Sequence, residues 1–256
     1  MSTYPPQFNQ QAYSFSSANA FVSRISSVMK RVYLNMTLAL IVTAVVSLLC
    51  VGGTDVVRNP NGSQDLTNLS AFMSFYLGNR WITWALVIAE FGIVIGVSAG
   101  INRLSTATAT LLFYLFAVIN GMMLSPIFLV YTGASIAKTF FITAGTFAAM
   151  SVYGFFTSRD LTKFGNILFM ALIGIIIASL VNMFTRSTPL GWIISVLGVV
   201  IFVGLTAWDT QQIKRMAIAA PEAGVGRLAV LGALSLYLDF INLFLYLLRF
   251  FGSSRN

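Results

Sequence analysis

Long apolar runs alternate with short polar joints along almost the whole chain. Seven of these runs are long enough to cross a bilayer, since a spanning helix needs about 20 mostly apolar residues. They cover roughly residues 33–52, 81–101, 107–131, 136–157, 164–184, 190–213 and 228–251. Charged residues make up only 9% of the chain, whereas a soluble domain carries about 25%. The pattern therefore predicts an all-α, polytopic membrane protein with a bundle of seven transmembrane helices.

Residues 1–30, ahead of the first run, are polar, rich in Ser, Gln and Asn, and contain Pro5 and Pro6. A composition that buries little apolar surface is typical of disorder. The stretch also lacks the apolar core and small-residue cleavage site of a signal peptide. We therefore expect a disordered tail over residues 1–30 and a seven-helix transmembrane domain over residues 31–252.

The basic residues predict how the chain is oriented. Arg24, Lys30 and Arg31 flank the first run without an acidic residue, which favours a cytoplasmic N-terminus because positive flanks are retained inside. Seven spans then place the C-terminus and the long polar loop over residues 53–80 on the outer side.

Composition excludes several functions. The chain has no histidine and a single cysteine, Cys50, so an intramolecular disulfide and a multi-cysteine metal site are excluded. The basic residues form no clustered patch, which argues against a nucleic-acid partner. No nucleophile and base occur together, and the aspartate contexts "WDT" and "LDF" differ from intramembrane aspartyl protease motifs. We predict no enzymatic activity and no resident cofactor.

The seventh run contains a polar stripe. In "SLYLDFINLFLYLLRF", residues 235–250, the side chains of Ser235, Asp239, Asn242 and Arg249 fall on one face at about 100° per residue. A lipid-facing carboxylate near mid-membrane costs about 2.5–3.5 kcal/mol on insertion scales. The stripe should therefore face the bundle interior or a water-filled cavity.

A second carboxylate, Asp209, lies in the sixth run, about two turns before its cytoplasmic end. Asp239 lies about three turns into the seventh run, which is antiparallel to the sixth, so the two carboxylates can face each other at similar depth. Two adjacent carboxylates cannot both ionise without cost and titrate as a unit, which makes them the candidate pH-sensitive element. The alternative is that Asp209 solvates a helix end and Asp239 hydrogen-bonds a neighbouring helix.

Three further charged residues fit this geometry. In the second run, Glu90 is expected in the outer half and Arg103 at the cytoplasmic end, while Arg249 lies toward the outside of the seventh run. Glu90 with Arg249, and Asp209 with Arg103, are pairs of opposite charge at matched depth. The alternative for Arg103 is that it snorkels to the membrane interface.

Two motifs carry a family resemblance. "AWDTQQI" (207–213), followed by "LYLDFINLFLYLLRFFG" (236–252), resembles the C-terminal signature of the Bax inhibitor-1 family, also called the transmembrane Bax-inhibitor-motif family. "NGMMLSPIF" (120–128) is also similar, and the resemblance covers roughly residues 30–252. It implies a seven-helix bundle with the last helix central. For a bacterial member the expected location is the inner membrane, and the orientation predicted from the basic residues then places the C-terminus in the periplasm.

The resemblance also implies a function. It indicates a pH-sensitive calcium leak attributed to an aspartate pair that maps onto Asp209 and Asp239, with Ca²⁺ as a transient ligand. In the family an arginine of the second helix pairs with the first aspartate, and Arg103 is the nearest candidate for this arginine. A glutamate of the second helix and an arginine of the last helix form a lock between these helices, and the two residues map onto Glu90 and Arg249. Some bacterial members resemble modulators of a membrane-bound AAA protease, so the alternative is a regulator of a protease or stress pathway without transport. A proton-coupled transporter would show paired repeats, which we do not find.

The orientation can be tested with reporter fusions. A periplasm-active reporter fused after Asn256 should be active, and the same reporter fused at Gly226 should be silent, because one span separates the two sites. A silent reporter at both positions would mean that the seventh run re-enters the membrane rather than crossing it.

Overall fold

The computed structural model describes residues 8–58, 64–220, 224–253 and 255. Its elements, in chain order, are α1 (Phe8–Val51), β1 (Asp55–Arg58), β2 (Gln64–Thr67), α2 (Ala71–Gly78), α3 (Arg80–Gly100), α4 (Thr106–Leu124), α5 (Ile127–Val130), α6 (Gly133–Phe156), α7 (Thr162–Thr185), α8 (Thr188–Ala219) and α9 (Val225–Phe251). Seven stretches of these helices are long and apolar enough to span a membrane, with α4 and α5 together forming one of them. The predicted all-α bundle of seven spans is confirmed.

The polar loop over residues 53–80 has local structure of its own. β1 and β2 form an antiparallel hairpin in which Asp55 pairs with Thr67. The short helix α2 follows, and the side chain of Ser70 caps it by accepting a hydrogen bond from the Met73 backbone N–H at 3.0 Å. The described parts of the loop, residues 53–58 and 64–79, therefore form local structure between α1 and α3.

The prediction of a disordered tail over residues 1–30 is wrong for residues 8–30, because α1 begins at Phe8. The tail composition is polar on average, but Ile25, Val28, Met29 and Val32 recur at the spacing of one helix face. Val28, Met29 and Val32 are buried in the main hydrophobic core. Residues 1–7 lie outside the described part of the chain.

Helix α9 lies at the centre of the bundle. In its most apolar stretch 72% of the residues are buried inside the protein, against 6% for α3 and 11% for α7. It packs against α1, α4, α6 and α8. The central position implied by the resemblance is therefore what the structure has, and polar groups on every side of α9 must find partners on other helices.

Helices α6 and α8 approach each other at a single glycine. A Cβ added to Gly154 would overlap the backbone carbonyl of Ala207, so the two backbones touch here and only glycine fits. Gly145, on the same helix, has nothing within 4 Å of such a Cβ. The position of α8 beside α9 depends on this contact with α6.

We expect Gly154→Ala to lower the melting temperature of the purified protein in detergent, because overpacking costs about 1–3 kcal/mol. Gly145→Ala is the matched control and should leave the temperature unchanged or raise it, since alanine is the better helix former by up to about 1 kcal/mol. Equal melting of Gly154→Ala and the unmodified protein would contradict the close approach of α6 and α8.

Candidate functional site

The centre of the bundle brings together three polar side chains of α8 and α9. The carboxyl groups of Asp209 and Asp239 lie close enough to interact with each other. The hydroxyl of Ser235 donates to Oδ2 of Asp209 at 2.6 Å. Because α8 and α9 are antiparallel neighbours, residues on either side of their connection face each other at the same depth.

This carboxylate pair lies well inside the bundle. Asp209 precedes the end of α8 at Ala219 by ten residues, or about 15 Å, and Asp239 follows the start of α9 at Val225 by fourteen residues, or about 21 Å. Asp239 is 4% exposed, whereas Asp209 is half-buried. The pair is therefore sealed on the Asp239 side and more open on the Asp209 side.

One oxygen of the pair lacks a hydrogen-bond donor. Oδ2 of Asp239 is buried and accepts no hydrogen bond from a backbone N–H or from a hydroxyl, amide or basic side chain of the described residues. A buried carboxylate oxygen without a partner is costly, so this position is chemically suited to a proton or a cation. Among the described residues no cluster of three or more His, Cys, Asp or Glu side chains occurs. Ca²⁺ takes six to eight oxygen ligands, so the pair fits a cation in passage better than a resident one.

Asn242, the next polar residue of the stripe, does not reach the carboxylate pair. Its side-chain amide donates to the Leu238 carbonyl one turn earlier at 2.8 Å. Asn242 lines a separate cavity of about 370 Å³ with Tyr131, Tyr246 and Arg249. The polar stripe of α9 therefore contributes side chains to two sites at different depths.

The expected pairing of Arg103 with Asp209 is not formed. Arg103 is exposed in the turn after α3 ends at Gly100, whereas Asp209 lies about 15 Å inside the end of its own helix. Among the described residues no ion pair joins them. The alternative interpretation, in which Arg103 reaches the membrane interface, agrees with its exposure.

Glu90 belongs to a hydrogen-bond network that the sequence did not indicate. The Asn120 amide donates to Oε1 of Glu90 at 2.8 Å, and the Tyr237 hydroxyl donates to Oδ1 of Asn120 at 3.1 Å. The Tyr237 hydroxyl also lies 2.6 Å from that of Thr43, which donates to the Ala117 carbonyl at 3.0 Å. The network joins α3, α4, α9 and α1. In the sequence, the feature that points to this network is Asn120, an amide side chain in a mostly apolar run.

The expected lock between Glu90 and Arg249 is therefore wrong. Glu90 is ten residues from either end of α3, at mid-depth rather than in the outer half. Through Asn120 it reaches Tyr237, whereas Arg249 lies twelve residues further along α9, or about 18 Å. Arg249 instead donates to the Ser195 hydroxyl of α8 at 3.3 Å.

Basic side chains lie at the end of the bundle where α8 ends and α9 begins, which we call the basic face. Arg24 donates to the Ala220 carbonyl at 3.0 Å, Lys214 to that of Phe155 at 2.7 Å, and Arg227 to that of Asn102 at 2.7 Å. These carbonyls lie at or just beyond the C-terminal ends of α8, α6 and α3. Cations are stabilising at such ends because of the helix dipole.

The same face carries an exposed carboxylate, Asp160, which lies 2.7 Å from Arg215. Hydrogen bonds from the side chain and backbone of Thr162, and then from Arg215, hold the pKa of Asp160 well below its ordinary value. Asp160 is therefore ionised throughout the neutral pH range, in an aqueous setting unlike that of Asp209 and Asp239.

The fold and this site define a class: a polytopic α-helical membrane protein in which a carboxyl group of the central helix faces a carboxyl group of its antiparallel neighbour. The family model described as "Inhibitor of apoptosis-promoting Bax1" matches residues 25–256. The chain belongs to this family, the Bax inhibitor-1 family, as the two aspartate motifs indicated.

Similar proteins occur in several bacteria. The Escherichia coli inner membrane protein YbhL is 52% identical over 191 residues, which cover 73% of this chain and 82% of YbhL. An uncharacterized protein of Borreliella burgdorferi is 55% identical over 174 residues, covering 67% and 75% of the two chains. The Rickettsia prowazekii protein RP147 is 43% identical over 229 residues, covering 89% and 90%.

Double-mutant cycles should distinguish the two partners considered for Glu90. We expect Glu90→Gln and Asn120→Ala to couple by about 0.5 kcal/mol or more in the free energy of unfolding, because the side chains touch. Glu90→Gln and Arg249→Ala should be additive, since about 18 Å of helix separates their sites. Coupling in the second cycle and additivity in the first would contradict the structure.

Proposed function

We propose that the chain is an integral-membrane, pH-sensitive cation leak pathway of the bacterial inner membrane, controlled by the Asp209–Asp239 pair, with Ca²⁺ as cargo. The observation that carries the proposal is the contact between two carboxyl groups deep in the bundle. Intramembrane acidic residues are costly and mark ion or proton pathways. Carboxylates also favour cations over anions in a pore, and their oxygens are the ligands that Ca²⁺ prefers.

The chemistry of the contact gives a physical reason for the proposed pH dependence of cation flux. An ionised carboxylate has no proton to donate, so a hydrogen bond between Asp209 and Asp239 requires that one of them is protonated. Loss of that proton would place two like charges in contact. Their repulsion would separate α8 from α9 and present the oxygens to a cation. The contact state is then the closed one, and alkaline conditions favour opening.

Two observations support the proposed location in the inner membrane and the proposed orientation of the chain. A relative of high identity is named an inner membrane protein, and the positive residues before the first span favour a cytoplasmic N-terminus. The competing hypothesis, a membrane regulator of a protease or stress pathway without transport, predicts no ion flux in a purified system.

Calcium flux in proteoliposomes, followed with an entrapped dye, tests the proposal. In the unmodified protein we expect flux to increase as pH rises from about 6 to about 8, because loss of the proton shared by the pair leaves two like charges in contact. Asp239→Asn and Asp209→Asn should each flatten this dependence, since an amide has no proton to lose on this scale.

Asp160→Asn is the matched control, because it makes the same chemical change at an exposed carboxylate that stays ionised throughout this range. It should leave the pH profile unchanged. Unaltered profiles in both Asp209→Asn and Asp239→Asn would remove the pair from the mechanism. Absence of flux from the unmodified protein at every pH would favour the regulator hypothesis.

A further inference from the structure

Helices α1 and α6 both pack against α9 but leave a groove between them. The groove has a volume of about 1080 Å³. Its floor includes Phe147 of α6 and Phe240 of α9, whose rings meet edge to face at 5.5 Å. Val152 and Phe156 on its rim are 57% and 74% exposed, so the groove opens sideways, where a bilayer would lie.

The two ends of the groove differ in chemistry. Lys30 of α1 and Lys214 of α8 border it toward the basic face, where its lining continues to Val22, and Leu40 and Phe140 border it at the other end. Lys30 and Leu40 are ten residues apart, or about 15 Å along the helix. That is half of the roughly 30 Å hydrocarbon core. The stretch of the groove between the lysines and Leu40 therefore has about the depth of one leaflet, and a smaller apolar cavity continues between α1 and α6 beyond Leu40 and Phe140.

Both lysines can take an anionic ligand. Lys30 is exposed. Lys214 donates to the Phe155 carbonyl at 2.7 Å and lies 4.9 Å from the centre of the Phe155 ring. An ammonium group has three donors, so this fixed position leaves Lys214 with donors for a second acceptor. The protein thus holds one positive charge in place at the mouth of an apolar channel.

We propose that this groove is a binding site for an anionic phospholipid. One acyl chain lies between α1 and α6 over Phe147 and Phe240, and the phosphate accepts hydrogen bonds from Lys30 and Lys214. The site shares no side chain with the Asp209–Asp239 pair and does not depend on cation flux.

Charge favours a lipid over a protein occupant. Basic residues at the membrane surface attract anionic headgroups, by about five-fold in affinity per residue. Acyl chains also surround the groove at high concentration.

Native mass spectrometry of the full chain in mild detergent tests the headgroup. The probes are phosphatidylglycerol and phosphatidylcholine with identical acyl chains at equal concentration. We expect the protein to retain about ten- to thirty-fold more phosphatidylglycerol than phosphatidylcholine, because each of the two lysines raises the affinity about five-fold. The double variant Lys30→Gln with Lys214→Gln should abolish the preference. Lys138→Gln, an exposed lysine at the other end of α6, should retain it.

A second pair of variants tests the channel itself. Ala148→Phe puts a ring into the groove from an exposed position that lines it, and should reduce retention of both lipids at least five-fold. Ala149→Phe, exposed next to it but outside the groove, should bind lipid like the unmodified protein.

Three results would overturn the proposal. They are equal retention of the two lipids by the unmodified protein, a phosphatidylglycerol preference that survives loss of both lysines, and undiminished lipid binding by Ala148→Phe. If Ala148→Phe lost a copurifying protein while still retaining both lipids, the occupant would be a partner helix and the lipid proposal would be wrong.

Discussion

The architecture depends on one requirement: the polar groups of α9 must be enclosed by protein, because hydrocarbon offers them no hydrogen bonds. Tyr237 and Asp239 are two residues apart and therefore point about 200° apart around the helix. Asp239 meets Asp209 of α8, while Tyr237 meets Thr43 of α1 and Asn120 of α4. A helix with essential polar groups on opposite sides cannot face lipid on either, and so α9 occupies the centre.

These polar groups form separate systems at different depths. The carboxylate pair and the Glu90 network lie near the middle of the bundle on opposite sides of α9. Arg249 and Asn242 serve a cavity nearer its C-terminal end. The separation matters for mechanism, because a change at the carboxylate pair reaches α8 first, whereas the Glu90 network holds α9 against α1, α3 and α4. Under the proposed function, α8 moves relative to α9, whereas α1, α3 and α4 keep their positions against α9.

The basic face lies beside the groove between α1 and α6. Its side chains donate to carbonyls at or near three helix C-termini, and one of them, Lys214, also borders the groove between α1 and α6. The groove floor includes Phe240, the residue after Asp239. The proposed lipid would therefore contact the helix that carries the buried carboxylate, although the two sites share no side chain.

The sequence alone determined the seven spans, because each depends on a local run of apolar residues. It also indicated the meeting of Asp209 with Asp239, because a short connection makes α8 and α9 antiparallel neighbours and residue spacing then sets the common depth. It did not determine the partners of Arg103, Glu90 and Arg249, since depth says nothing about which helices are neighbours across the membrane plane. Packing decided those partners, through contacts such as Gly154 against α8 that no local pattern specifies. Packing also decided that the residues around Val28 and Met29 belong to α1, because the burial of these two side chains against distant helices outweighs the polar composition around them.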